Sequence, residues 1–248
     1  MLTLTLFACE ATSGLNLFTI EEDIELGQSV LAEIEADPET YPVLSEDQYP
    51  EAYAHLDRLR DEVLATGEVT HADEFEWEIY LIDDDDTMNA FAAPGGYIWV
   101  YTGLMRFLTS EDALVGVLGH EIAHADARHS TQLLTRAYGL AYLLDVVLGD
   151  DRGTGSELAE TILALGFSRD NEAEADSYSV QYLCPTDWAA DGASYFFEDL
   201  EGVAIPEFLS THPSSDTRVA DIRAEADAMG CNVELSEADY QELLDSLP

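Results

Sequence analysis

LGHEIAHAD, Leu118 to Asp126, sets His120 and His124 four residues apart with Glu121 between them. On an α-helix four residues advance about 400°, so the two imidazoles stand one turn apart on nearly the same face and can reach one ion. Two imidazoles at that spacing suit zinc. Glu121 lies about 100° round the helix from His120, near enough to address a water beside the ion without ligating the ion itself, which suits a general base. Upstream, Ser110 is expected to be the N-cap, and Glu111 and Asp112 fall in the first turn, where the helix dipole favours acids. Leu114, Val117, Leu118, Ile122 and Ala123 are expected to bury this helix, so that a metal site on it is held in place before any substrate arrives.

A catalytic zinc site needs a third protein ligand. His129 is nine residues beyond His120, about 900° along an uninterrupted helix and therefore on its opposite face, and is not expected to ligate. A metzincin would have Gly at 127 and His at 130, where this chain has Ala127 and Ser130. The ligand is expected instead from FSRDNEAEAD, residues 167–176, a polar helical run following the mainly apolar Leu158 to Gly166. Glu172 and Asp176 stand one turn apart there, one able to ligate and the other to orient a ligating imidazole. In a chain with 52 acidic residues, composition and spacing do not choose Glu172 over Glu174.

HEIAH (120–124), SRDNEAEAD (168–176), NAFAAPGGYIWVYTGLM (89–105) and THPSSDTR (211–218) together resemble the hallmark segments of the gluzincin metallopeptidases that include HtpX, the CaaX prenyl proteases and the mitochondrial OMA-type protease. The likeness runs from about Cys9 to Cys231 and is nearest to the soluble bacterial lipoprotein branch, BepA- and LoiP-like, without the tetratricopeptide repeats of its longer members. It implies a mostly helical α+β, zincin-like fold with a small sheet or hairpin beside the HExxH helix. It implies one zinc ion per chain on His120, His124 and Glu172, with Asp176 behind them and Glu121 as the catalytic base. Asn89 matches an asparagine that holds substrate backbone, although a residue of this type beside a turn needs no such role. His212 matches a histidine near the zinc, able to stabilise an oxyanion or to cap the open metal position at rest.

The nine Lys+Arg residues, all arginine, face 52 Asp+Glu, a formal net charge of −43. That balance argues against nucleic acid or an anionic membrane as a partner. A lysine-free acidic surface resembles proteins of salt-loving organisms, where ionic strength screens the self-repulsion. Met1 to Cys9 is apolar but lacks a basic start and is too short to span a membrane. Leu6 to Cys9 resembles a lipoprotein processing box with Cys9 as the lipidated residue. Residues 1–17 are accordingly expected to be a leader remnant and 18–248 a single metallopeptidase domain, placed in a bacterial envelope with membrane contact only through Cys9. Cys184 and Cys231 would pair in an exported protein and be two buried thiols in a cytoplasmic one.

Along the chain, a helix with a Thr19–Glu22 capping box is expected up to Asp37, ended by Pro38, and a second near Pro50 to Ala65. Phe75 to Ile82, Asn89 to Phe91 and Tyr97 to Tyr101 read as strands around Pro94-Gly-Gly96. Leu133 to Leu148 reads as a core or cleft-lining helix and Asp150 to Ser156 as a loop able to gate the cleft. A helix is expected to start at Ser214 or Ser215, carrying Arg218 toward a carboxylate, and a short one at Ser236 to Leu247. The function expected is zinc-dependent cleavage of protein or peptide substrates, misfolded envelope proteins by the resemblance. The competing expectations are a zinc-binding, chaperone-like protein that holds unfolded chains along the hairpin edge without cutting them, and a structural zinc protein with His212 as permanent fourth ligand.

Overall fold

The computed structural model describes residues 15–148, 155–164, 166–200, 211–213, 217–236 and 240–248, with side chains between 139 and 156 excepted. Cys9, most of the expected gating loop, and Ser214 and Ser215 lie outside them.

Helix α1 (Ile20–Ala36) begins at Thr19, whose side chain accepts from the Glu22 N–H while the Glu22 carboxylate accepts from the Thr19 N–H. Leu26, Val30 and Ile34, four residues apart, are its buried stripe. Helix α2 (Pro50–Leu64) opens with proline at its first position, where the missing N–H has no partner to lose, and buries Tyr53, Leu56, Leu59 and Val63.

Strands β1 (Glu78–Ile82), β2 (Ala90–Ala93) and β3 (Tyr97–Tyr101) form one sheet in the order β1-β3-β2, with β1 parallel and β2 antiparallel to β3. The first strand starts three residues later than the sequence suggests, because Trp77 takes a left-handed backbone, φ 50°, that an extended ladder does not admit. All of Tyr97-Ile-Trp-Val-Tyr101 is buried because helices cover both faces. Ile98 and Val100 join the cluster of α2 and of α4 (Glu111–Asp126), whereas Tyr97, Trp99 and Tyr101 join that of α1 and α6 (Gly155–Leu163). Between the two strands of the hairpin, Gly95 has φ 79° and its Cα approaches α1 so closely that a Cβ would lie 2.7 Å from the Ile24 Cα.

After α3 (Thr102–Phe107), α4 is capped by Ser110, whose hydroxyl accepts from the Ala113 N–H. Every residue of α4 is buried. It packs against α2, β2, α7 (Arg169–Leu183) and α8 (Gly192–Asp199). Glycine at 116 is required by the α8 crossing: a Cβ there would stand 2.1 Å from the Ala193 nitrogen. Asp112 accepts from the Ala189 N–H at 2.8 Å and the Ser236 N–H at 3.0 Å, fixing the N-terminal end of α4 to two loops.

Helix α5 (His129–Leu148) follows α4 after a break at Ala127 and Arg128, and α9 (Arg218–Met229) and α10 (Tyr240–Asp245) close the chain. Helix α9 begins at Arg218 after Thr217, later than the sequence suggests. A Cys184–Cys231 disulfide ties the end of α7 to the residue after the Gly230 cap of α9. Among the described residues no helix is long and apolar enough to cross a membrane.

The charge imbalance carries a prediction. At 0.01 M ionic strength the Debye length is about 30 Å, comparable to a domain, and at 1 M it is about 3 Å. With a net −43 the unscreened repulsions span the whole fold, so the melting temperature is expected to rise from low to molar NaCl with zinc saturating throughout. A melting temperature flat or falling over that range would remove the salt-adapted reading of the surface.

Candidate metal centre

The Nε2 atoms of His120 and His124 converge to 3.0 Å on one face of α4. Glu172, in the first turn of α7, brings its carboxylate to 3.5 Å from His120 Nε2 and 3.4 Å from His124 Nε2. Its position follows from the start of α7, where Ser168 and Asn171 cap the helix reciprocally. His212 joins the same group: one ligand atom from each of His120, His124, Glu172 and His212 lies within 4.8 Å of all the others. Its loop is anchored where Phe167 N–H donates to the Thr211 carbonyl at 3.0 Å. The His212 Nε2 stands 3.5 Å from Glu121 Oε1.

These distances provide a test of fit. Ligand atoms about 2.0–2.2 Å from a tetrahedral centre stand about 3.3–3.6 Å from one another. The two imidazole–carboxylate separations fall in that range, and the imidazole pair, at 3.0 Å, is about 0.3 Å shorter than its lower end. Both carboxylate oxygens of Glu172 and of Glu121 are buried without a hydrogen bond of good geometry, and although Arg218 stands beside Glu172, a metal cation relieves the cost further. A nitrogen, nitrogen and oxygen donor set suits zinc.

Behind this group lies a second layer. Asp176 Oδ1 stands 2.9 Å from His120 Nδ1, so the side of the ring turned away from the centre meets a carboxylate. Arg218 is buried and donates from Nε to Asp176 Oδ2 at 2.6 Å and from an NH2 group to Oδ1 at 2.7 Å, a two-pronged pair. Its other terminal nitrogen is 3.0 Å from Glu172 Oε2, and its guanidinium lies 3.9 Å over the Phe197 ring.

Burial pushes the Glu121 carboxyl up to about 8, reinforced by the charge of Glu172. Burial opposes a charge on His120, but the Asp176 and Glu172 carboxylates outweigh it and raise the imidazole to about 9. His124 is held well below its ordinary value by burial. Burial alone would raise Glu172 and Asp176; the facing imidazoles, and Arg218 at Asp176, lower both instead. At pH 7 the metal-free protein therefore holds protons on His120 and Glu121. Zinc uptake is expected to release about two protons at that pH and progressively fewer as the pH rises through 8 and 9. Titration calorimetry in buffers of different ionisation enthalpy measures this number, and a release near zero at pH 7 would contradict it.

The structure corrects the placement of His129. It is not across the helix from the metal face, because α4 ends at Asp126 and Arg128 takes a left-handed φ of 59° before α5 begins. The His129 Nδ1 lies 2.9 Å from His124 Nδ1. It remains outside the ligand group. Phe167, not among the expected site residues, stacks on the His124 ring with centroids 3.9 Å apart. An aromatic residue just before an expected ligand helix was the only available signal.

A cavity of about 290 Å³ opens beside the group, lined among others by His212, Asn89, Phe91, Ala92, Tyr41 and Phe167. Asn89 is 5% exposed and its Oδ1 has no hydrogen-bond partner, which leaves a buried acceptor at the cleft. Strand β2 is an edge of the sheet and runs along α4; the Ala92 backbone faces Glu121 and lowers its carboxyl slightly against the effect of burial.

A family model described as peptidase family M48 matches residues 50–226. The chain is similar to the mitochondrial metalloendopeptidase OMA1 of Schizosaccharomyces pombe, 33% identical over 177 residues covering 68% of this chain and 51% of that protein. It is similar to the OMA1 metalloendopeptidase of Arabidopsis thaliana, 34% identical over 172 residues, 66% of this chain and 34% of the other. It is also similar to the beta-barrel assembly-enhancing protease of Escherichia coli K12, 30% identical over 192 residues, 69% and 39% of the two chains. The matches span about half or less of these relatives' lengths.

Proposed function

We propose, proceeding from the fact that this chain belongs to peptidase family M48, that it is a zinc-dependent endopeptidase using His120, His124 and Glu172 as ligands and Glu121 as general base. The observation that carries the reading is the convergence of those ligand atoms beside a buried carboxylate that is not one of them. Residues 18–248 act in this reading as one metallopeptidase domain.

The chemistry a zinc ion supplies in that position is Lewis acidity, toward water and toward a carbonyl oxygen. Glu121 takes the proton of the attacking water on a carboxylate oxygen and returns it to the leaving amine. Burial raises this carboxyl in the metal-free protein and the zinc charge opposes the rise, so that the base is ionised once the metal is bound. Asp176 accepts from the His120 Nδ1–H and fixes which nitrogen faces the centre. Arg218 keeps Asp176 and Glu172 ionised together in a buried space. Strand β2 offers its free edge to an extended peptide, and Asn89 holds that peptide's backbone through its unpartnered Oδ1.

His212 takes one of two positions in turn. Within ligand reach of the centre and beside Glu121 it closes the site at rest; displaced by substrate, it donates to the developing oxyanion. A permanently closed structural site would instead keep all four ligands and hold no exchangeable water.

The substrates are proteins, and misfolded envelope proteins are the class proposed, with the beta-barrel assembly-enhancing relatives as support. Incubation with casein is expected to yield new N-termini, to stop with a chelator such as 1,10-phenanthroline, and to resume on adding zinc. Zinc-loaded protein that binds casein without cutting it would favour the chaperone-like reading instead.

A further inference from the structure

We infer that His129 is the positioning residue of the second zinc ligand: it accepts the His124 Nδ1–H on its own Nδ1 and is itself anchored through Nε2 to Glu174. The inference rests on the zinc site proposed above and concerns which side chain holds His124 in register.

A metal-ligating imidazole is oriented by what its other nitrogen meets. His120 meets Asp176, a carboxylate, at 2.9 Å. His124, with Nε2 turned to the centre, presents Nδ1 to no carboxylate among the described residues; the group facing it is His129 Nδ1, also at 2.9 Å. Two imidazole nitrogens at hydrogen-bond distance require one donor and one acceptor. A neutral His124 ligating through Nε2 carries its proton on Nδ1, so His129 Nδ1 is the acceptor and its proton is on Nε2. There His129 meets Glu174 Oε2 at 3.3 Å, an acceptor on a side chain 52% exposed. Three side chains thus connect the metal face of α4 to solvent, with every proton assigned.

The fold goes to some length to produce this contact. In an uninterrupted helix His129 would sit about 140° round from His124 and could not touch it. The break at Arg128 makes the contact, and a residue with a Cβ in the left-handed region is held there at a local strain. What holds it is the N-terminal segment: the Arg128 guanidinium donates to the Phe18 carbonyl at 2.5 Å, to the Thr19 carbonyl at 3.0 Å and to the buried Asp23 carboxylate. That segment precedes the residues the family model matches, so α1 contributes to a metal ligand's orientation from outside the matched region.

Three readouts on the full chain test the inference. In the unaltered zinc-loaded protein, long-range ¹H–¹⁵N imidazole spectra are expected to show His129 as the Nε2–H tautomer and His124 protonated on Nδ1; His129 protonated on Nδ1 overturns the proposal. His129→Leu is expected to weaken zinc affinity about 10–100-fold, by competition with a chelating dye, and to shift the visible bands of the cobalt(II)-substituted protein. His129→Asn, whose Oδ1 replaces the Nδ1 acceptor, is expected to restore affinity to within about threefold. Equal zinc affinity and an unshifted cobalt spectrum in a folded His129→Leu protein overturn it. If His129→Leu does not fold, His129→Asn decides: a tenfold or greater loss of affinity in that variant overturns the proposal. An unaltered protein that takes up no zinc would instead overturn the metal site itself.

Discussion

Glu121→Gln is expected to leave zinc bound and to lower kcat on a peptide substrate by at least about 10³-fold, since proton transfer by a placed side chain contributes about 10²–10⁴ and Glu121 acts both as base and as acid. The amide keeps the shape of the side chain and removes its ability to take a proton. Zinc content by metal analysis, beside a fluorogenic peptide assay, separates loss of chemistry from loss of metal. Cleavage within tenfold of the unaltered enzyme would exclude Glu121 as the base. The same substitution has a second, opposite signature in the metal-free protein. Folding raises the Glu121 carboxyl from 4.5 to about 8, so folding takes up a proton between those values. Such a group costs nothing below the unfolded value, and its penalty grows as pH rises from 4.5 and is complete near 8. The stability of metal-free Glu121→Gln relative to the unaltered protein should therefore improve from about pH 5 to about pH 8, as read by urea unfolding.

Arg218→Met is expected to destabilise the metal-free protein by about 3–5 kcal/mol, because it leaves buried carboxylates without their cation. The two-pronged bond to Asp176 and the 3.0 Å approach to Glu172 disappear together, whereas methionine retains the packing on Phe197. Zinc supplies positive charge to the same carboxylates, so the loss should be smaller in the loaded protein. The pH dependence has a defined sign. Asp176 and Glu172 are lowered in the fold, so their contribution is present above the ordinary carboxylate pKa of about 4 and disappears as pH falls through the lowered values. The cost of Arg218→Met should accordingly be largest near neutral pH and shrink on acidification. A loss below about 1 kcal/mol at pH 7 in the metal-free protein would mean that the carboxylates are neutralised another way.

Much of the architecture was legible in local patterns. The Thr19–Glu22 box, Pro50 at a helix start, Ser110 as a cap and the four-residue step from His120 to His124 each act within a turn or two of helix, and local sequence carries that information. The small sheet was legible in outline, but Trp77 delayed its first strand by a backbone conformation that side-chain alternation does not encode.

The centre itself was legible only in part. The helical step puts His120 and His124 on one face from sequence alone, because the period of a helix is set by its own hydrogen bonds. The choice of Glu172 over Glu174 depends on how α7 lies against α4: Glu172 turns toward the imidazoles, and Glu174, two residues on, turns to solvent and to His129. The place of Arg218 behind Asp176, 42 residues before it in sequence, and of His212 beside Glu121, roughly ninety residues before it, depends on how distant segments pack, and no spacing rule reaches that far. His129 shows the limit most directly. Counting residues along a continuous helix sent it to the far side, and the tertiary structure brought it to His124 by breaking the helix at Arg128, whose side chain is held by carbonyls and a carboxylate from the far N-terminal segment. What a residue does to its own turn is written in its neighbours; what it does at the metal centre was decided by which helices the core pressed together.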